Sequence, residues 1–166
     1  VIYNMMEGLM RQKPSGELTN GAIERYEVSD DQKVYTFFLV DGMVWDDKEN
    51  TPVTAHDFVF AFQRIFNSIY PSPFASMFSS IKNSQQVLSG QLDASSLGVQ
   101  ALDDHTVRFT LNYADPAFLE ALAHSSAMPC NQKLFESANG KYGSTIQQSY
   151  SNGPFFLMQW DLSLIH

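Results

Sequence analysis

Four histidines, one cysteine and three acidic pairs are the side chains here with the types needed for chemistry, and their spacing limits what they can do. His56, His105, His124 and His166 lie far apart, and none forms an i, i+4 pair with another histidine. No single helix face therefore offers a zinc or nickel site. Cys130 stands alone without a flanking signature, which reads as a buried, inert thiol more readily than as a nucleophile. Asp30-Asp31, Asp46-Asp47 and Asp103-Asp104 each fall in a predicted turn, where aspartate bonds its own backbone. The stretch Asp46-Asp47-Lys48-Glu49-Asn50 lacks the alternating oxygen ligands and central glycine of a calcium loop. Gly-x-Gly-x-x-Gly, Walker, Gly-x-Ser-x-Gly and His-Glu-x-x-His patterns are absent from the sequence. No catalytic residue, metal site or cofactor is expected. One stretch stands apart: in Tyr70-Pro71-Ser72-Pro73-Phe74-Ala75-Ser76-Met77-Phe78, two prolines set a loop that carries Phe74 and Phe78. Either both rings are core, or Phe74 projects from behind Pro73 into a ligand cleft.

The elements around these residues follow from periodicity. Ile2, Met5, Met6 and Leu9 have helical spacing, so the chain is expected to open on a helix. Lys13-Pro14-Ser15-Gly16 and Ser29-Asp30-Asp31-Gln32 read as turns. Residues 22–28 are extended or helical, and 34–40 are a β-branched and aromatic strand. Thr54 and Asp57 have capping-box spacing ahead of Phe58, Phe62, Ile65 and Phe66, which places an amphipathic helix at 55–67, ended by Pro71 and Pro73. Short helices are expected at 75–81, 84–88, 117–124 and 132–138, with Gly90 and Asn139-Gly140 as stops. Strands are expected at 99–102 and 105–111, and alternation from 155 to the last residues reads as a final strand. Hairpin-like strands with short helices indicate α+β, with mostly antiparallel pairing.

Composition narrows the function. The 166 residues carry a formal charge of −8, are 44% apolar and 13% aromatic, and only 17% are charged. That charge disfavours phosphate backbones, so no nucleic-acid partner is expected. The apolar share argues against disorder. No apolar run approaches the roughly 20 residues of a membrane-spanning helix. Few charges and many aromatics suggest a surface meant to be covered. Regular elements at both ends lead to the expectation of a piece cut from a longer protein.

Several segments in order resemble the family 5 extracellular solute-binding proteins, receptors of peptide-importing ABC transporters. Met6-Glu7-Gly8-Leu9 is similar to the family's Tyr/Phe-Glu-Gly-Leu. The strand 34–40, then Val44-Trp45-Asp46 and Thr51-Pro52-Val53-Thr54-Ala55-His56-Asp57-Phe58, resemble its strand, Trp-Ser-Asp-Gly and Thr-Pro-Val-Thr-Ala-x-Asp-Phe block. Ser72-Pro73-Phe74-Ala75-Ser76 looks like the Ser-Pro-Tyr-Ala-Ser of the oligopeptide-binding branch. Leu97-Gly98-Val99-Gln100-Ala101-Leu102-Asp103-Asp104-His105-Thr106 and Ser151-Asn152-Gly153-Pro154-Phe155 continue the match. Two departures lie in surface connections: Val40-Asp41 where the family has a basic residue, and a longer 45–50 turn.

The resemblance implies a two-lobed, periplasmic-binding-protein-like fold of type II that closes on an extended peptide. Residues 7–128 would be the inserted small domain of the first lobe, 1–6 the opening helix, and 129–166 an incomplete return into that lobe, with the second lobe absent. Phe74 takes the place of the cleft-facing tyrosine, without its hydroxyl, and Asn152 and Gly153 that of a cleft-edge turn. These three are the expected ligand-binding residues. The implied protein is a monomeric, extracytoplasmic receptor, a lipoprotein or periplasmic, with a peptide ligand and ABC permease subunits at the membrane as partners. Rival readings are a same-family receptor for dipeptides, nickel or another small solute, a hydrolase using Cys130 or an Asp pair, and a protein-interaction domain.

Overall fold

Alternation along two strands decides where the core lies. The computed structural model describes residues 5–145 and 148–154. A small antiparallel hairpin comes first, β1 (Met10–Gln12) against β2 (Leu18–Asn20), turning through Pro14 and Gly16. Then follow β3 (Ile23–Val28), β4 (Val34–Leu39), α1 (Ala55–Ile65), α2 (Ser84–Leu88), β5 (Val99–Asp103), β6 (Thr106–Thr110), α3 (Phe118–Ala121) and α4 (Gln132–Ser137). Short 3-10 turns occupy Ala75–Phe78, Ala94–Ser96 and Ser125–Ala127. Strands β3 to β6 make one antiparallel sheet in the order β3-β4-β6-β5, with Tyr35 opposite Phe109 and Phe37 opposite Val107. The class is α+β, as expected.

Successive strand residues point to opposite faces, so one face of β4 buries Tyr35, Phe37 and Leu39. Phe109 of β6 joins them, and α1 lays Phe58, Phe62 and Ile65 across β5 and β6. The Phe109 ring centre lies 4.9 Å from Phe62, 5.7 Å from Phe37 and 5.4 Å from Phe118. All three contacts are edge-to-face, the arrangement ring quadrupoles favour.

The start of α1 is fixed by Asp57, which is buried and accepts from the Thr54 N–H at 2.9 Å, the reach-back of a capping box. Trp45 Nε1–H donates to the same carboxylate at 3.1 Å, and Asn131 Nδ2–H at 3.0 Å. Asn131 in turn caps α4 by accepting from Leu134 N–H. Burial pushes the Asp57 carboxyl above its ordinary value, against these three donors, which pull it down. At the far end, Ser72 N–H returns to the Ile65 carbonyl at 3.0 Å, folding the proline loop over the helix end.

Three expectations are corrected. Met6 to Leu9 is not helical: Gly8 and Leu9 carbonyls accept from Ala22 and Gly21 at 2.8 and 3.0 Å. Long-range backbone partners outweigh a local 3.6 period there. The helix expected over 75–81 is a single 3-10 turn, after which Ile81 bridges to Leu111. The helix expected over 117–124 shortens to Phe118–Ala121, although Asp115 Oδ1 still accepts from Ala117 N–H at its start. The two three-residue strands of the first hairpin are too short for alternation to reveal. The expected final strand from 155 lies outside the described residues.

Candidate functional site

The chain before and through β1 forms one wall of an open groove of about 510 Å³. Ala123 and Met128, after α3, and Pro154 also line it. The size falls in the range of about 300–1,000 Å³ common for small-ligand sites. Its lining mixes thioethers of Met6, Met10 and Met128, which adapt to varied shapes, with one charged pair. In that pair the Glu7 carboxylate accepts from Arg11, with Arg11 Nε at 3.1 Å from Oε1. The wall can stand this close to the next segment because position 21 is glycine: a Cβ there would come 2.2 Å from the Gly8 carbonyl oxygen.

Phe74 sits at the start of the 3-10 turn and is 43% exposed, unlike Phe78, which is fully buried. Its ring packs on His124, centre to centre 4.8 Å. His124 directly follows Ala123, which lines the groove. His124 is itself held: Nδ1 accepts the Ser126 backbone N–H at 3.2 Å and lies 2.8 Å from Ser126 Oγ. A backbone N–H can only donate, so Nδ1 presents its lone pair and the neutral ring carries its proton on Nε2. No sequence motif around His124 singles it out. Only the stacking on Phe74 does so.

Asn152 and Gly153 bond the segment before β1 that lines the groove. The Asn152 carboxamide accepts from Glu7 N–H at 2.9 Å and donates to the Glu7 carbonyl at 3.0 Å. Gly153 N–H donates to the Met5 carbonyl at 2.9 Å, and a Cβ at 153 would come 2.8 Å from that oxygen. Ser151 just before them donates N–H and Oγ–H to the Asp46 carboxylate at 2.6 and 2.8 Å, and accepts from Asp46 N–H at 3.0 Å. The pair Asp46-Asp47 is thus more than a solvated turn. Asp47 closes its own loop on Thr51, while Asp46 reaches across the chain.

The other singled-out residues stay apart from the groove. Cys130 is buried and accepts from Arg64 Nη1 at 3.2 Å, and burial pushes its thiol above the ordinary value. Arg64 also lies over the Phe135 ring at 4.0 Å. His56, exposed in the first turn of α1, faces Asp104 at 3.6 Å, and His105 faces Asp41 at 3.7 Å on exposed turns. Asp103 bonds His105 N–H and Thr106 Oγ, and Asp31 bonds Ser29 Oγ and Lys33 N–H; these bonds hold both carboxyls below the ordinary value. His166 lies outside the described residues. Among the described residues no group of three or more His, Cys, Asp or Glu is placed to hold a metal ion, and no helix is long and apolar enough to cross a membrane.

The family model of bacterial extracellular solute-binding proteins, family 5 (middle), matches residues 17–164. The chain belongs to this family. Among curated relatives, the periplasmic oligopeptide-binding protein OppA of Salmonella typhimurium is 36% identical over 162 residues, 96% of this chain and 29% of that protein. The oligopeptide-binding protein OppA of Bacillus subtilis is 34% identical over 161 residues, with the same two shares. Among solved structures, the substrate-binding domain of an oligopeptide ABC transporter from Bacillus anthracis superposes with a TM-score of 0.91 at 36% identity, covering 96% of this chain and 30% of that one. Listeria monocytogenes OppA bound to peptide gives 0.90 at 28% identity, covering 96% and 31%. The family 5 chain described here spans about three-tenths of the length of these relatives.

Proposed function

We propose that the protein carrying this chain is the substrate-binding component of an ABC importer that takes up oligopeptides. It works outside the cytoplasm and catalyses nothing. Residues 7–128 form the inserted small domain of its first lobe, 129–166 the return into that lobe, and 1–6 the approach to it, with a second lobe completing the cleft. Its partners are the peptide and the transporter's permease subunits, and the receptor is a monomer. The observation that carries this reading is 36% identity over 96% of the chain to an oligopeptide-binding protein, together with a close fold match to a peptide-bound one.

Phe74 is the ring that meets the peptide, with His124 backing it, and Asn152-Gly153 edges the cleft. An exposed aromatic suits side chains of many kinds, because its apolar face discriminates little while bonds to the peptide backbone supply affinity independent of sequence. Phe74 lacks a hydroxyl, so it offers contact area without a hydrogen bond. The full-length protein should be stabilised against heat by pools of peptides two to six residues long, by about 2.7 kcal/mol at one hundred times Kd. No shift with any pool would overturn the reading. A relative at 33% identity is called a probable deoxycholate-binding protein, so deoxycholate belongs in the same screen. Stabilisation by that acid and by no peptide would change the ligand class but leave the receptor reading standing. These 166 residues alone should bind peptides only weakly, since half a cleft leaves the ligand in water.

A further inference from the structure

Both backbone polar groups of Glu7 are taken by one side chain. Asn152 accepts from the Glu7 N–H at 2.9 Å and donates to the Glu7 carbonyl at 3.0 Å, copying the paired bonds of a neighbouring strand. Gly153 continues the pattern on Met5 at 2.9 Å. Asn152 is only 8% exposed, so its carboxamide is turned onto the chain and away from solvent. Ser151, bonded three ways to Asp46, ties this short ladder to the connection between β4 and α1, and so to the core. On its other side the wall is held by Gly21 and Ala22, which bond the Leu9 and Gly8 carbonyls.

We infer that Asn152 is a positioning residue for the groove: it sets the wall made by Met6, Glu7 and Gly8 by acting through Glu7, and does not itself touch the ligand. This rests on the peptide-receptor reading and deepens it. A wall bonded from both sides presents its thioethers and its Glu7–Arg11 pair in one arrangement before the ligand arrives. Freed on one side, it must be ordered during binding, and that ordering weakens affinity.

The test uses the full-length receptor with Asn152→Ala and Asn152→Asp. The aspartate keeps the shape and the acceptor for Glu7 N–H but loses the donor to the Glu7 carbonyl. Two quantities are read: hydrogen exchange over residues 5–9, and peptide Kd well below the melting temperature. With Asn152→Ala, exchange of the Glu7 amide should rise at least about tenfold and Kd should rise by about tenfold, with Asn152→Asp between it and the native protein. Ile65→Val, in the core and not among the groove's lining residues, should lower the melting temperature and leave Kd unchanged. Unaltered protection of Glu7 in Asn152→Ala would overturn the clamp. Loss of protection with unaltered Kd, or an equal loss of affinity in Ile65→Val, would overturn its role in positioning. If the native receptor binds no peptide, the functional reading fails together with the ligand half of this inference, and the exchange measurement still decides the clamp. Should Asn152→Ala fail to fold, Asn152→Asp carries both readings.

Discussion

The sheet with α1 and the groove wall lie side by side, yet different forces hold them. Around Phe109 the contacts are ring edges on ring faces, and Phe37, Phe62 and Phe118 are all fully buried. Around Glu7 the contacts are hydrogen bonds from Asn152, Gly153, Gly21 and Ala22 to backbone groups. Apolar burial is non-directional and tolerates exchange of one large side chain for another, whereas a backbone clamp depends on particular atoms at particular distances. The core therefore supplies stability, and the wall supplies a shape. On the proposed reading, the fixed wall presents its adaptable thioethers in one arrangement before a peptide arrives.

The contrast is broken most directly at its apolar end. Phe109→Ala should cost about 3–5 kcal/mol in chemical denaturation, because a ring touching three others leaves a cavity that cannot collapse. A cost near 1 kcal/mol would mean that the rings are not what holds the sheet to α1.

Asp57 is the place where polar bonding enters that core. Asp57→Ala leaves Trp45 Nε1–H, Thr54 N–H and Asn131 Nδ2–H without their acceptor and should cost about 2–3 kcal/mol. The same residue yields a pH signature. Burial raises its folded-state pKa above the unfolded value, so the folded state binds the proton more tightly. Stability from this group therefore rises as pH falls from above the raised folded value toward the unfolded value near about 3.9. Denaturation of the native protein and Asp57→Asn across that window should show the native protein gaining relative to the variant at lower pH. A relative loss would mean that the three donors outweigh burial.

On the groove side, Gly153→Ala forces a methyl to within contact of the Met5 carbonyl and should cost about 1–3 kcal/mol, accompanied by faster exchange over residues 5–9. A uniform rise in exchange across the sheet would blur the distinction between the two regions. The smallest effect on stability belongs to Phe74→Ala, under about 0.5 kcal/mol, since the ring is already 43% exposed. Peptide affinity in the full-length receptor should nevertheless fall roughly fivefold, about 1 kcal/mol of aromatic contact. Calorimetric titration showing unchanged affinity would remove Phe74 from the ligand site.

How far the fold was legible follows from the same difference. The strand at 34–40, the capped helix at 55–67 and the strand at 105–111 appear within a residue or two of their expected ends, because each buries a face whose period is written locally. Residues 2, 5, 6 and 9 carry an equally regular helical spacing, yet among the described residues of that stretch only Met5 is helical and 6–9 are not. Its partners, Ala22 and Asn152, lie 14 and 145 residues away from the carbonyls they bond, on Gly8 and Glu7. No window of periodicity contains them. Likewise Phe74 stood out by its prolines, while His124 beneath it did not.

The sequence by itself determined the class of the molecule and its kinship. Charge, alternation and an ordered set of motifs suffice for α+β and family 5, since these properties reside in neighbouring residues or in the whole composition. Tertiary structure decided what the short motifs do. Read alone, Asn152-Gly153 is a turn beside a cleft and Asp46-Asp47 is a solvated pair. Folded, Asp46 and Glu7 meet at Ser151 and Asn152 and fix one wall of the groove, because a hydrogen bond requires atoms about 3 Å apart and only the folded chain brings them there.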